Sequence, residues 1–151
     1  MMADIVRAAG MLVYRHKADR IEYLLLQASY PPHHWSPPKG HVDPGEDEWS
    51  AALRETCEEA GITASNLDVH MDFVEVMTYV VKKSDRHGEE INKQKTVKYW
   101  LARLKNDEEI RLSDEHQDVR WLSVDEASML AQYKEMQDLI RKAEEYLTHK
   151  K

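Results

Sequence analysis

The segment 40–62 constrains the fold of this chain more than any other part of its sequence. Pro44 and Gly45 precede a helical pattern that runs from about Glu46 to Ala60, and Gly61 follows its last turn. At about 100° per residue, three carboxylates of this pattern fall within an arc of about 100°. They are Glu55, Glu58 and Glu59. We therefore predict a helix that packs by one side and presents acidic side chains on the other.

Small and apolar residues occupy most of the remaining arc of this helix. They are Trp49, Ala52, Leu53, Thr56, Cys57 and Ala60. We expect Cys57 to face inward and to be structural, because no nearby residue would activate its thiol. Carboxylates at these spacings repel one another in an exposed helix, and a bound cation would reverse the sign of that interaction. Hard oxygen ligands suit Mg²⁺ or Mn²⁺, whereas an acidic face exposed to solvent is about equally favoured by the periodicity alone.

Length and composition exclude several classes of protein. A chain of 151 residues is predicted to form one domain over 1–151. Cys57 is the single cysteine, so the chain forms no intramolecular disulfide and a reducing environment is favoured. The net charge of −7 argues against binding of nucleic acid through its phosphates. Neither a signal peptide nor a membrane-spanning apolar segment is recognisable, and we expect a soluble, cytoplasmic monomer.

The periodicity outside this helix predicts a sheet covered on both faces. The predicted strands are Ile5–Tyr14, Ile21–Gln27, Leu67–Val81, Thr96–Leu104 and Val119–Leu122, with a turn over His16–Arg20. The helices predicted after them are Val124–Ala131 and Lys134–Leu147. Polar residues predict a long loop over Lys82–Lys95, and prolines predict another loop before the central helix. Strands interrupted by one helix and followed by helices indicate an α/β fold.

The spacing of the fixed residues in the segment 40–62 carries a family resemblance. The matching residues are Gly40, Glu46, Arg54, Glu55, Glu58, Glu59, Gly61 and Ile62. Together they resemble the Nudix box, G-x5-E-x7-R-E-U-x-E-E-x-G-U. Thr56 is the one departure, since the pattern prefers a bulky aliphatic residue there. The resemblance implies an α/β/α sandwich with a mixed sheet, a central catalytic helix and a C-terminal helix. It also implies Mg²⁺-dependent hydrolysis of a nucleoside diphosphate linked to another group.

Segments outside the box are similar to one branch of this family, the asymmetrical diadenosine tetraphosphate hydrolases of animals. The similar segments are 22–29, 33–47, 95–102, 112–117 and 131–136. The resemblance implies that water cleaves diadenosine tetraphosphate to ATP and AMP without a covalent enzyme intermediate. Other substrates known in the family are alternatives, namely a diphosphoinositol polyphosphate, a capped RNA end or a nucleotide sugar. An inert Nudix fold that only binds ligands is the alternative of a different class, and the intact glutamates argue against it.

The resemblance also implies a set of site residues. Those implied to hold the metal are Glu55, Glu58, Glu59 and Glu115. We expect the backbone carbonyl of Gly40 to join them, because glycine allows the backbone to come close. Those implied to bind substrate are His34, Lys39, Tyr79, Lys95 and Tyr133, with the two tyrosines stacking on adenine. Those implied to serve catalysis are Lys39, Arg54, Glu55, Glu58 and Glu59. Either Glu55 or Glu58 is the general base, and the sequence leaves both open.

Further residues are predicted to have supporting or structural parts. We expect Arg54 to orient the glutamates and Glu46 to interact with the helix dipole from the first turn. Lys83 and Lys98 are expected to be solvated rather than bound to phosphate. Core packing is the preferred interpretation of five aromatic residues, which are Trp35, Trp49, Tyr99, Trp100 and Trp121.

Overall fold

The structure is a computed structural model that describes residues 5–84, 90–131 and 133–149, except for the side chains of Tyr79 and of residues 81–93. Its strands are β1 (Ile5–Lys17), β2 (Arg20–Ala28), β3 (Trp35–Ser36), β4 (Lys39–His41), β5 (Leu67–Ser84), β6 (Glu90–Leu104) and β7 (His116–Leu122). Its helices are α1 (Glu48–Ala60), α2 (Val124–Leu130) and α3 (Lys134–His149), with a short 3-10 turn at Ala64–Asn66. Among the described helices, none has both the length and the apolar character required to cross a membrane.

The described strands form one mixed sheet with β1 near its centre. β1 pairs in parallel with β6, and it pairs antiparallel with β2 and β4. β5 pairs with β6 at one edge, whereas β3 and β7 pair with β2 on the other side. Helix α1 packs on one face of the sheet, and α2 and α3 pack on the other. The architecture is therefore the expected α/β/α sandwich.

Strand β1 shows why the sheet needs two helical layers. Seven consecutive residues of β1, 8–14, are buried, which is typical of a strand covered on both faces. Its side chains alternate between the two faces. Leu12 and Tyr14 belong to the core beneath α2 and α3, whereas Met11 and Val13 belong to the core beneath α1.

The prediction of a long loop over Lys82–Lys95 is wrong. β5 continues to Ser84 and β6 begins at Glu90, with Ser84 opposite Glu90 and Tyr79 opposite Lys95. Ladder hydrogen bonds join backbone groups and require no apolar side chains. A polar segment can therefore extend a strand beyond the core, and its composition gives no sign of doing so.

The first hairpin is tighter than predicted. The predicted turn over His16–Arg20 shortens to the two residues Ala18 and Asp19, because Lys17 pairs with Arg20. Both turn residues have positive φ, 51° and 63°. That conformation is typical of the two-residue turns that match the twist of paired strands.

The buried face of α1 is rotated relative to the predicted one. Its buried residues are Ala51, Ala52, Glu55, Thr56, Glu59 and Ala60. Glu55 and Glu59 therefore lie near the middle of the buried arc, and the expectation that the acidic side faces solvent is wrong for both. Cys57 is exposed, so its predicted inward position is also wrong. The physical reason is that β4 and the chain near residue 113 cover the acidic side of the helix.

The aromatic residues interpreted as core residues pack as expected, although to different extents. Tyr99 and Trp100 are buried. Trp35, Trp49 and Trp121 are partly buried against the two cores. The ring centroids of Trp49 and Trp100 lie 5.2 Å apart in an edge-to-face arrangement, which anchors the first turns of α1 to β6.

Gly61 and Gly45 offer a matched test of backbone strain. Both have positive φ, 74° and 80°, and alanine in this region costs roughly 1–2 kcal/mol. A Cβ on Gly61 would lie 2.9 Å from the Arg111 Cβ, whereas one on Gly45 would meet nothing within 4 Å. In urea unfolding we expect Gly45→Ala to show the conformational cost alone and Gly61→Ala to lose more stability. Equal losses would show that the Arg111 contact contributes nothing.

Candidate active site

A cavity of about 480 Å³ opens along the acidic side of α1, and we call it the glutamate cavity. Its lining includes Glu55, Glu58, Glu59, Glu115, Lys39 and Lys95. One carboxylate oxygen from each of Glu55, Glu58 and Glu59 lies within 4.8 Å of the other two. Gly40 lies in the same lining. The structure thus brings together all five residues that the sequence analysis predicted as metal ligands.

Gly40 sits where no other residue would fit. It pairs with Ala9 in the ladder between β1 and β4, and a Cβ built on it would overlap the carboxylate of Glu55. The absence of a side chain lets the backbone of β4 lie directly against that carboxylate. This close approach brings β4 and α1 to the same wall of the cavity.

Arg54 holds two of the clustered carboxylates from outside the cavity. Its Nη1 donates to Glu55 Oε1 at 2.8 Å and to Glu58 Oε2 at 3.1 Å. Its Nε and Nη2 donate to the two carboxylate oxygens of Glu46, at 2.8 and 2.9 Å, and Nη2 also donates to the His41 carbonyl. The bonds that Arg54 donates to the carboxylates, those to Glu46 above all, raise its pKa. The arrangement agrees with the orienting role predicted for Arg54.

Glu46 does not lie in the first helical turn, and that prediction is wrong. Helix α1 begins at Glu48, and Asp47 caps it by accepting a hydrogen bond from the Ser50 N–H at 2.7 Å. Glu46 precedes the cap and accepts from the Asp43 N–H as well as from Arg54. These bonds, first of all those from Arg54, lower the pKa of Glu46 to about 2. Its support therefore comes through Arg54 rather than through the helix dipole.

Glu59 is the most enclosed member of the cluster, with 4% of its surface exposed. Ser113 Oγ donates to Glu59 Oε2 at 2.8 Å. Burial raises the pKa of Glu59, and the bond from Ser113 opposes that shift. Burial also raises the pKa of Glu55, against the effect of Arg54. Both carboxylates are therefore costly to ionise unless a cation joins them.

Glu115 reaches the cavity through a short turn that precedes β7. The Ser29 N–H donates to the Glu115 carbonyl at 2.9 Å, and Ser29 Oγ donates to the Asp114 carbonyl at 2.8 Å. His116 then pairs with Ala28 in the ladder between β2 and β7. The end of β2 thus fixes the turn, which explains how a carboxylate so far along the chain reaches α1.

Lys39 interacts electrostatically with three of the glutamates that line the cavity. Burial lowers the pKa of its ammonium group, and the carboxylates of Glu59, Glu115 and Glu55 oppose that shift. The residue lies in β4 beside Gly40. A partly buried ammonium within a group of carboxylates is placed to meet an anionic phosphate entering the cavity.

A second cavity of about 190 Å³ adjoins the first, and we call it the aromatic cavity. Its walls include His34, Trp35, Met77, Tyr99 and Tyr133. The rings of His34 and Tyr133 lie 5.3 Å apart, and Tyr133 is 46% exposed. Tyr30, Lys39 and Lys95 line both cavities. The predicted substrate residues His34, Lys39, Lys95 and Tyr133 therefore come together.

Of three further residues considered from the sequence, the structure describes the side chain of one, Lys98. The side chains of Tyr79 and Lys83 lie outside the described part of the chain, although the backbone of Tyr79 pairs with Lys95. The ammonium of Lys98 lies 5.2 Å from the centre of the Trp100 ring. Lys98 thus has an aromatic neighbour, and the expectation that it is solvated rather than bound to phosphate stays a prediction.

Sequence reasoning missed three residues of the site, Tyr30, Ser113 and His116. Tyr30 lines both cavities, and its position before two prolines in the chain gave no chemical signal. Ser113 and His116 flank Glu115 and contact Glu59. Their closeness in sequence to an implied metal ligand was the one available clue. Tyr99 and Trp35, interpreted as core residues, also line the aromatic cavity.

Comparisons with known proteins point to one family. The NUDIX domain profile matches residues 4–143. The asymmetrical bis(5'-nucleosyl)-tetraphosphatase of Caenorhabditis elegans is 52% identical over 143 residues, covering 95% of this chain and 97% of that protein. The protein of the same name from Rattus norvegicus is 50% identical over 149 residues, covering 94% and 95%.

A solved structure extends the agreement to the fold. The crystal structure of a binary complex of a C. elegans Ap4A hydrolase matches with a TM-score of 0.84 and 52% identity, over 95% of this chain and 98% of that one. The resemblance inferred from the sequence and the predicted sandwich are both confirmed. By its Nudix box, its fold and these matches, the chain belongs to the Nudix family.

Proposed function

We propose that this chain hydrolyses diadenosine tetraphosphate to ATP and AMP, the activity for which its relatives are named. The observation that carries the proposal is that the glutamate cavity and the aromatic cavity adjoin and share Tyr30, Lys39 and Lys95. A nucleotide whose base occupies the aromatic cavity would extend its phosphates across the two lysines toward the glutamates. A polyphosphate joined to a nucleoside fits that arrangement.

Membership of the family implies dependence on a divalent metal ion, and we propose Mg²⁺, with Mn²⁺ as a substitute. Glu55, Glu58, Glu59 and Glu115, with the backbone of Gly40, would hold it. The donor set fits, because its oxygen atoms are hard ligands that cluster within a short distance, and burial makes two of the carboxylates costly to ionise without a cation. Metal bound there would supply neutralisation of phosphate charge and activation of the attacking water.

The remaining residues of the proposed site bind and orient. Lys39, Lys95 and His34 would contact the phosphates, and partial burial of Lys39 strengthens its attraction to them because little water competes. Arg54 would keep Glu55 and Glu58 in place through its bonds to both. One of these two glutamates would accept the proton of the attacking water, and both remain candidates.

The aromatic cavity is proposed to bind one adenine. Tyr133 offers a partly exposed ring beside His34, and stacking of a base on such a ring contributes roughly 1–3 kcal/mol. Tyr79 is proposed as a second stacking residue on the strength of the family resemblance. The single domain, the monomeric state, the cytoplasmic location and the absence of nucleic-acid binding stay predictions from the sequence.

Replacing Glu59 by glutamine tests the proposed metal ligand. Glutamine keeps the shape of the side chain and can still accept from Ser113, but it removes the negative charge. We expect kcat of Glu59→Gln at saturating Mg²⁺ to fall by about 100-fold or more, through the loss of one ligand. Turnover of diadenosine tetraphosphate would be followed by ion-exchange chromatography, with circular dichroism to verify the fold.

Glu48→Gln is the matched control for that experiment. Glu48 lies in the first turn of the same helix and pairs with Arg7 at 3.3 Å, away from the cluster. We expect its kcat to stay within about twofold of wild type, a change of under about 0.5 kcal/mol in the barrier. If Glu59→Gln also stays within about tenfold, the assignment of Glu59 to the metal is wrong.

The position of the water attack is tested by isotope labelling. In the proposed reaction, water attacks the phosphorus next to one adenosine. Hydrolysis in ¹⁸O-labelled water should therefore place the label in AMP and leave ATP unlabelled, as measured by mass spectrometry of the separated products. Label in ATP would contradict the position of attack, and formation of two ADP molecules would contradict asymmetrical cleavage.

Substitution of Tyr133 separates binding from chemistry. Stacking acts on a part of the substrate remote from the reacting phosphorus, so its loss raises KM and leaves kcat nearly intact. We expect Tyr133→Ala to raise KM by roughly 5–150-fold and Tyr133→Phe to change it little. Unchanged kinetics for the alanine variant would exclude Tyr133 from adenine binding, and a large effect of phenylalanine would assign the role to the hydroxyl.

A further inference from the structure

One oxygen of Glu59 is contacted twice by the turn that carries Glu115. Ser113 Oγ donates to Glu59 Oε2 at 2.8 Å, and His116 Nδ1 lies 2.7 Å from the same oxygen. The Glu115 N–H in turn donates to Ser113 Oγ, and the His116 N–H donates to the Ser113 carbonyl. The turn 113–116 is thus a compact unit with two polar atoms directed at a single carboxylate oxygen.

The contact of His116 with Glu59 indicates which ring nitrogen of His116 carries a hydrogen. His116 Nδ1 is buried, and within the described part of the chain it has no partner with regular hydrogen-bond geometry. An unprotonated nitrogen at 2.7 Å from a carboxylate oxygen would be repelled by it, whereas an N–H at Nδ1 is attracted even off the ideal angle. The 2.7 Å contact therefore places a hydrogen on Nδ1.

The same imidazole also lines the aromatic cavity. His116 lies in the wall of that cavity with Tyr133 and Lys39, while its Nδ1 contacts a carboxylate of the glutamate cavity. His116 is therefore part of the partition between the proposed adenine site and the proposed metal site. A ring fixed in this partition contacts the metal ligand and the substrate cavity at once.

We propose that His116 is a positioning residue, whose Nδ1–H, together with Ser113, holds Glu59 Oε2 so that Glu59 Oε1 is left for the metal. The inference rests on the proposed function, because it takes Glu59 to be a metal ligand. Groups that orient a ligating side chain change metal affinity or activity by about 10–100-fold when they are removed. A buried carboxylate with one oxygen restrained presents the other in a defined direction.

Replacing His116 by asparagine and by glutamine distinguishes this role from simple packing. The amide nitrogen of asparagine can take the place of histidine Nδ1, whereas that of glutamine reaches the place of Nε2. Mn²⁺ would be titrated into each variant without substrate, and free ion would be measured by electron paramagnetic resonance. We expect His116→Ala and His116→Gln to raise the Kd for Mn²⁺ by about 10–100-fold and His116→Asn to stay within about threefold of wild type.

Kinetics give a second readout on the same variants. We expect kcat with Mg²⁺ to follow the order of the Mn²⁺ affinities. Ser113→Ala, which removes the other contact to Oε2, should also weaken Mn²⁺ binding, and its effect combined with His116→Ala should be non-additive. Thermal unfolding would verify the fold of each variant. If His116→Ala does not fold, the comparison of His116→Asn with His116→Gln still tests the positioning role.

The outcomes separate this inference from the proposed function. If Glu59→Gln weakens Mn²⁺ binding while His116→Ala and His116→Gln bind it as wild type does, the positioning role is wrong and the metal site stands. If glutamine restores binding and asparagine does not, the contact through Nδ1 is wrong. If Glu59→Gln itself binds Mn²⁺ normally, Glu59 is not a ligand, and the proposed metal site fails together with the inference.

Discussion

The contact between the Gly40 backbone and the Glu55 carboxylate is the constraint on which the rest of the site depends. Gly40 is paired to the central strand β1, so its position is determined by the sheet, and the space where a Cβ would stand is filled by the Glu55 carboxylate. Helix α1 can approach β4 this closely only because that side chain is missing. Arg54 then reaches Glu55 and Glu58 from one side, and Ser113 reaches Glu59 from the other.

The charge balance of the glutamate cluster follows from the close packing of α1 against β4. Burial raises the pKa of Glu55 and of Glu59, and buried charge is tolerated only when it is paired. Arg54 pairs with the outer side of the cluster, and Lys39 interacts with its inner side. The remaining excess of negative charge faces the cavity. An acidic protein can therefore attract a polyphosphate, provided that a divalent cation occupies the cluster first and the lysines complete the neutralisation.

The sequence predicted which residues meet at the site better than how they are oriented. The spacing of Gly40, Arg54 and the three glutamates singled out residues that the structure brings together, and β-branched and apolar runs located most strands. The orientation of α1 was not predictable from its own periodicity, because the elements that bury Glu55 and Glu59 come from β4 and the turn 113–116. The role of His116 depends on a contact with a residue more than fifty positions earlier in the chain. The polar ends of β5 and β6 were missed because backbone pairing leaves no trace in composition.

The parallel pairing of β1 with β6 has a consequence for the order in which the molecule assembles. Ile5 pairs with Gln94 and Tyr14 with Arg103, so the central strand lacks one neighbour until most of the chain has been synthesised. A ribosome adds roughly 5–20 residues per second, so β1 exists for several seconds without its partner β6. During that time the seven residues that are buried in the folded protein lack this neighbouring strand. Folding that depends on such distant partners is intrinsically slow. Until β6 is made, the hairpin of β1 and β2 therefore presents an unpaired strand edge.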